Sequence, residues 1–228
     1  DVVWGSALQQ GSQAPNIARL ALLRAGLPTS VPGMSVDRQC ASGLMAIATA
    51  AKQIITDNMD IVIGGGQDSI STVQTPQMRI EPDMELVAMQ NDTYMTMLQT
   101  AEVVAERYGI SREAMDEYAL ESQRRTANAQ EKGYFDDEII PVTTKMNVVN
   151  KETKEVSQRE VTIDKDEGNR PETTLEGLQS LKPVVGPDKT ITAGNASQLS
   201  DGSSASVLME EKLAEKRGLT PLGRYVGM

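Results

Sequence analysis

The first seventy residues alternate short apolar runs with stretches of helical periodicity, and this alternation restricts the chain to one class of fold. Asp1 to Gly5 reads as a strand. Ile17, Leu20, Ala21 and Arg24 then share a helix face, and Gly26 ends that helix. Gly33 to Arg38 reads as a second strand, followed at once by a helix from Ala41 to Thr56 whose stripe is Leu44, Ile47, Ala48, Ala51 and Ile55. Asp60 to Ile63 is a short buried strand closed by Gly64-Gly65-Gly66. Strand, helix, strand, helix, strand is the pattern of an α/β protein with a mostly parallel sheet and helical crossovers.

After Ser71 the character changes. The next stretch is more polar, with one helix predicted from Gln99 to Tyr108 and another from the N-cap Ser111 to Gly133. Val142 to Thr162 mixes β-branched residues with charges, which predicts an exposed hairpin. Thr190 to Ala193 and Ser203 to Met209 read as strands, with a helix over Glu210 to Arg217. The sheet is thus interrupted and resumed. An interruption of about 120 residues is too long for a structureless loop and predicts a subdomain. The division is 1–71, an insertion over 72–190, a return over 191–218, and a segment 219–228 that begins something further.

Bulk properties exclude several function classes. The net charge of −10 argues against nucleic acid and against an anionic membrane surface. A bound anion needs only local positive potential, so small anionic ligands remain compatible. The apolar runs are far shorter than the roughly 18 residues of a membrane span. The single cysteine cannot form an internal disulfide and fits a reducing compartment, read here as cytoplasmic. No metal site is assigned. With aromatic residues at 3% and twelve methionines, closely packed helices are expected.

That cysteine, Cys40, falls between the second strand and the following helix. Unpaired N–H groups and the macrodipole at a helix start favour negative charge, which suits a nucleophilic thiolate. Ala41, Ser42 and Gly43 are small enough for a substrate to approach. The competing reading is an inert buried thiol, and topology alone leaves both open.

The segment Val36-Asp37-Arg38-Gln39-Cys40-Ala41-Ser42-Gly43-Leu44 resembles the nucleophile motif of thiolases. Gly64-Gly65-Gly66-Gln67-Asp68-Ser69-Ile70-Ser71 is similar to the family's glycine-rich stretch. Met95 to Glu102 with Arg107 to Arg112 is similar to its loop-domain segment, and Thr192-Ala193-Gly194-Asn195-Ala196-Ser197 with Asp201-Gly202 to a later motif. The resemblance implies the first half of a five-layered αβαβα architecture. This half has a mixed, mostly parallel five-stranded sheet with helices on both faces and an inserted α/β loop subdomain. Segment 219–228 would then begin the second half. A homodimer or homotetramer is implied, as is an acyl-enzyme on Cys40 during cleavage or formation of 3-ketoacyl-CoA. The Cys40 N–H would be one oxyanion donor.

Further residues come by the same resemblance. Met97 would line the pantetheine tunnel, Ala193 and Ser197 would touch the pantetheine chain, Arg170 would lie near the adenosine phosphates and Leu181 against adenine. CoA and acyl-CoA are the implied partners, with the thioester as substrate and no cofactor. Each residue also has a plainer reading: Met97 and Leu181 as core, Ser197 as a turn hydroxyl, Arg170 as a solvated charge. The pattern departs from the family in having no histidine and no second cysteine, so the chain alone is expected to be inactive. Gln67-Asp68 and Leu98-Gln99 are smaller departures. The competing readings are a non-catalytic CoA- or acyl-binding or assembly module and a decarboxylating condensing enzyme such as a β-ketoacyl synthase; the Gly-Asn-Ala-Ser segment and the insertion favour thiolase over the latter.

Overall fold

The computed structural model describes residues 1–75 and 81–228. In chain order the elements are β1 (Val2–Gly5), α1 (Ile17–Arg24), β2 (Gly33–Val36), α2 (Ser42–Asp57), β3 (Ile61–Asp68), α3 (Ile70–Val73), α4 (Met84–Met89), α5 (Met97–Tyr108), α6 (Arg112–Glu131), β4 (Val142–Val149), β5 (Val156–Ile163), α7 (Leu175–Gln179), β6 (Gly202–Met209) and α8 (Glu211–Lys216). They form two compact units, Asp1–Glu81 with Leu199–Met228, and Pro82–Gln198. The sequence reading placed these breaks at 72 and 190.

The first unit holds a sheet of order β2-β1-β3-β6. β1 runs parallel to both β2 and β3, while β6 pairs antiparallel with β3 from Ile61↔Met209 to Asp68↔Gly202. The first crossover leads to one side of β1 and the second returns past it. Crossovers of one hand must then place α1 and α2 on opposite faces. The side chains of β1 divide accordingly. Val2 and Trp4 pack with Ile17, Ala18 and Leu22 of α1, and Val3 packs with Ala46 and Ala50 of α2 and Val62 of β3.

Three sequence expectations are corrected in this unit. The glycines after Ile63 do not close β3, which continues through them to Asp68. They keep the strand narrow: a Cβ on Gly64 would lie 3.0 Å from the Ile47 Cα, and one on Gly65 2.3 Å from the Ser204 carbonyl oxygen. Of the predicted α2 stripe, Ala48 and Ala51 are buried but Leu44 and Ile55 are 60% and 65% exposed, and the residues packed on Val3 and Val62 are Ala46 and Ala50. A helix lying this close to glycine backbone accommodates only small side chains on its inner face. Finally, the sheet has four strands among the described residues, not five. Thr190 to Ala193 forms no strand because side chains occupy its N–H groups. Thr190 and Ile191 donate to the Glu102 carboxylate, and Thr192 donates to Asn195 Oδ1.

The second unit is organised around two buried carboxylates. Glu102 on α5 accepts from Ile191 N at 2.7 Å, and from Thr190 N and Thr190 Oγ1 each at 2.9 Å. Asp116 on α6 accepts from Arg112 Nε at 2.8 Å and Asn195 Nδ2 at 3.0 Å. Arg112 also donates to the carbonyls of Leu178 and Leu181. One irregular turn is thereby fixed to two helices. The hairpin is present as β4 and β5, and almost every residue in it is exposed.

Burial pushes the Glu102 carboxyl up, but the hydrogen bonds from Ile191 and Thr190 and the charge of Lys189 outweigh it, so its pKa is lowered. A lowered folded-state pKa contributes stability that is present above the ordinary carboxylate range and is lost as pH falls through the folded value.

Two predictions follow from these contacts. Glu102→Ala leaves buried N–H groups without an acceptor and should cost about 2 kcal/mol in urea unfolding followed by circular dichroism, with the deficit shrinking under acid. Gly5→Ala sets a Cβ 2.2 Å from the Ser42 carbonyl carbon, whereas a Cβ on Gly43 meets nothing within 4 Å. Gly5→Ala should therefore destabilise by about 3 kcal/mol in the same assay, and Gly43→Ala by less than about 1 kcal/mol.

Candidate active site

The parallel strands β1 and β3 end side by side at the point where the chain's path across the sheet reverses, the place where open α/β sheets bind ligands. An open cleft of about 370 Å³ lies there. Its walls include Gly5 from β1, Cys40 from the β2–α2 connection, Gly43 from the first turn of α2, Gln67 and Asp68 from β3, and Ser203 from β6. Because β6 is antiparallel, it begins where the others finish, which brings Gly202 to Ser204 to the rim.

Cys40 is exposed and unpaired. It sits on a sharp elbow between the end of β2 at Val36 and the start of α2 at Ser42, slightly longer than the sequence implied. Gln39 adopts φ 49°, the left-handed region, and turns the chain so that the following residue projects outward. Ala41 N donates to the Arg38 carbonyl and Ser42 N to the Gln39 carbonyl. Among the described residues, the N–H groups of Cys40, Gly43 and Leu44 meet no acceptor, as expected of a connection running into a helix.

The small residues after Cys40 divide their roles. Gly43 has open space above it, but Ser42 points inward and is 3% exposed. The first turn of α2 rests directly on strand backbone. A Cβ on Gly5 would meet Ser42 and Gly43, and one on Gly66 would lie 2.7 Å from the Gly5 carbonyl oxygen.

The far side of the cleft is held by Asp68. Its carboxylate accepts from Ser6 Oγ at 2.9 Å, Ala7 N at 3.1 Å, Leu8 N at 3.2 Å and Gln13 Nε2 at 3.2 Å. Gln13, buried, also accepts from Ser69 N at 2.9 Å. Beside it Asp201 accepts from Ser71 Oγ at 2.5 Å and Ser71 N at 2.8 Å, and these bonds hold its carboxyl below the usual range. Sequence reading missed Ser42, Asp68, Gln13 and Asp201 as site-building groups. The available signal was a carboxylate at the end of an apolar, glycine-rich strand, which must find donors if it is drawn inward.

The remaining candidates all lie in the second unit. Met97 is the first residue of α5, behind the capping pair Thr96 and Gln99, and is 74% exposed, so its core reading fails. Arg170 is exposed, its N–H donating to Gln123 Oε1 at 2.8 Å and its carbonyl accepting from Thr173 Oγ1 at 2.7 Å. Leu181 is 37% exposed at the end of the α7 region, and its side chain packs against Gly194. Ala193 and Ser197 are exposed on either side of the Gly194-Asn195 turn. That turn sets Leu181 against Gly194, the residue that follows Ala193. Cys40 belongs to the other unit.

Among the described residues no group of acidic, cysteine or histidine side chains could hold a metal ion, and no helix is long and apolar enough to cross a membrane.

Comparison with known proteins is consistent along the chain. The sequence model of the family described as "Thiolase, N-terminal domain" matches residues 1–212. A β-ketoadipyl-CoA thiolase of Pseudomonas aeruginosa is 42% identical, the match covering 100% of this chain and 58% of the relative. A 3-ketoacyl-CoA thiolase of Bacillus subtilis is 39% identical over 99% of this chain and 57% of its own length. The chain therefore spans little more than half the length of these relatives. The crystal structure of human mitochondrial 3-ketoacyl-CoA thiolase in complex with CoA superposes with a TM-score of 0.78 at 35% identity, covering 97% of this chain and 55% of the other. The Bacillus anthracis acetyl-CoA acetyltransferase gives 0.80 at 37% identity, covering 97% and 56%. With the fold, the cleft at the strand ends and the family match in agreement, the chain belongs to the thiolase family, in the region of its N-terminal domain.

Proposed function

We propose that this chain supplies the nucleophile of a thiolase, an acyltransferase that cleaves or forms 3-ketoacyl-CoA through an acyl-enzyme on Cys40. The observation that carries the reading is the exposed Cys40 thiol on a left-handed elbow at the mouth of an open cleft, beside backbone N–H groups without acceptors.

In the degradative direction the Cys40 thiolate adds to the 3-keto carbon. The tetrahedral oxyanion collapses, the bond between the 2- and 3-carbons breaks, and its electron pair takes a proton to leave as acetyl-CoA. The acyl group remains on the sulfur, and the thiol of a second CoA removes it. The Cys40 N–H is one proposed donor to the oxyanion. Met97, Arg170, Leu181, Ala193 and Ser197 are the proposed CoA contacts, and their exposure leaves them free to meet a ligand. No cofactor is required, since the thioester is itself the substrate. The oligomer proposed is a homodimer or homotetramer, and the compartment a reducing one such as the cytoplasm, which suits a free thiol.

The 228 residues contain no histidine and no second cysteine, the groups to which the thiolase resemblance assigns proton transfer, so that role is assigned in this proposal to groups outside them. General acid–base catalysis is worth roughly 10²–10⁴-fold, and a helix start cannot replace it. A second reading, a non-catalytic CoA- or acyl-binding or assembly module, draws on this same deficit.

The nucleophile reading predicts the behaviour of the purified chain. Iodoacetamide should alkylate Cys40 at least about 2-fold faster in the folded chain than in urea at the same pH, as expected of a nucleophile held exposed at the mouth of the cleft. Equal or slower reaction in the folded chain would favour the non-catalytic module. Acetoacetyl-CoA and CoA should show no steady-state turnover with these residues alone; sustained thioester cleavage would contradict the assignment of proton transfer to groups outside them.

A further inference from the structure

The elbow carrying Cys40 is held by a side chain that does not belong to the helix it begins. Ser42 is the first residue of α2, yet its hydroxyl caps nothing in that helix; the N-cap position is Ala41, which makes no side-chain capping bond. Instead, Ser42 Oγ reaches back across Cys40. It accepts from Arg38 N at 2.8 Å and donates to the Gln39 carbonyl oxygen at 2.5 Å, and Ser42 N donates to that same carbonyl at 3.0 Å. These bonds engage residues on the amino-terminal side of the cysteine and bypass Cys40 itself.

Gln39, in the middle of this clasp, has φ 49°, a conformation that side-chain-bearing residues rarely adopt without being held there. Its carbonyl is the acceptor for both Ser42 donors. The hydroxyl is shielded from competing water, since Ser42 is 3% exposed beneath the first turn of α2. Its backbone is pressed onto β1 at Gly5, so the clasp has a fixed anchor.

We propose that Ser42 is the positioning residue of the nucleophile: its hydroxyl locks Gln39 in the left-handed conformation, which directs the Cys40 thiol into the cleft and leaves the Cys40 N–H without an acceptor. This rests on the reading of Cys40 as the nucleophile. In this role Ser42, although it lines the cleft, acts through the backbone at positions 38 and 39.

The test uses the full chain and its Ser42→Ala and Ser42→Thr variants, with the iodoacetamide rate constant of Cys40 and the thermal unfolding curve measured for each. Ser42→Ala lacks the hydroxyl and should be alkylated at least about fivefold more slowly than the parent while still melting cooperatively. Ser42→Thr keeps the hydroxyl and should return the rate to within about twofold of the parent. Alkylation of Ser42→Ala at the parental rate overturns the proposal, as does equal slowing in both variants. Loss of the cooperative transition in Ser42→Ala also overturns it, by assigning the hydroxyl to the fold. If the parent reacts no faster than its own unfolded state, the nucleophile reading fails instead, a result visible before either variant is compared.

Discussion

Everything around the cleft depends on backbone lying against backbone where α2 starts. Gly5, Gly64, Gly65 and Gly66 remove side chains from the places where β1 and β3 meet the helix and the neighbouring strand. Only then can the amino end of α2 settle close enough for the elbow at Gln39 to lie over the strand ends. The alanines on the inner face of α2 belong to the same arrangement, because a larger residue at Ala46 or Ala50 would lift the helix and the elbow with it. Packing and chemistry are here the same constraint.

The second unit solves a different problem by different means. Its turn at 190–195 is irregular, and irregular backbone that is buried must satisfy its polar groups one at a time. Glu102 does so for Thr190 N and Ile191 N, and the Asn195 amide, itself held by Asp116 of a second helix, does so for Thr192 N and the Thr190 carbonyl. Because these carboxylates point inward and are fully used, the neighbouring residues Ala193 and Ser197 remain at the surface. The family motif in this region is thus partly a framework motif: Asn195 holds the turn and its neighbours are presented by it.

Much of this was legible in the sequence. The order of strands and helices in the first seventy residues follows from periodicity, and Gly26 and the N-cap Ser111 marked helix ends that the structure also shows. Cys40 stood out because of its strand–helix junction. What could not be read were features set by partners distant in the chain. Glycine usually signals a break in a strand, so the continuation of β3 through Gly64 to Gly66 depended on β6, far along the sequence. Thr190 to Ala193 has strand composition, and only the placement of Glu102 beside it shows why it is a turn. The stripe on α2 was misassigned at Leu44 and Ile55, though not at Ala48 and Ala51, because periodicity weights large apolar side chains, while a helix on glycine backbone buries its smallest ones.

The carboxylate of Asp201 has a topological consequence. It binds Ser71 N and Ser71 Oγ, 130 residues away in sequence, and so ties together the strand end from which the chain departs and the strand start to which it returns. To the sheet, the intervening polypeptide is a single long excursion pinned at its base. Lengthening such an excursion twofold costs only about 0.6 kcal/mol of closure entropy. The sheet is therefore nearly indifferent to the size of what is spliced in at this position, and sequence there is free to diversify while the elbow and its glycines stay unchanged.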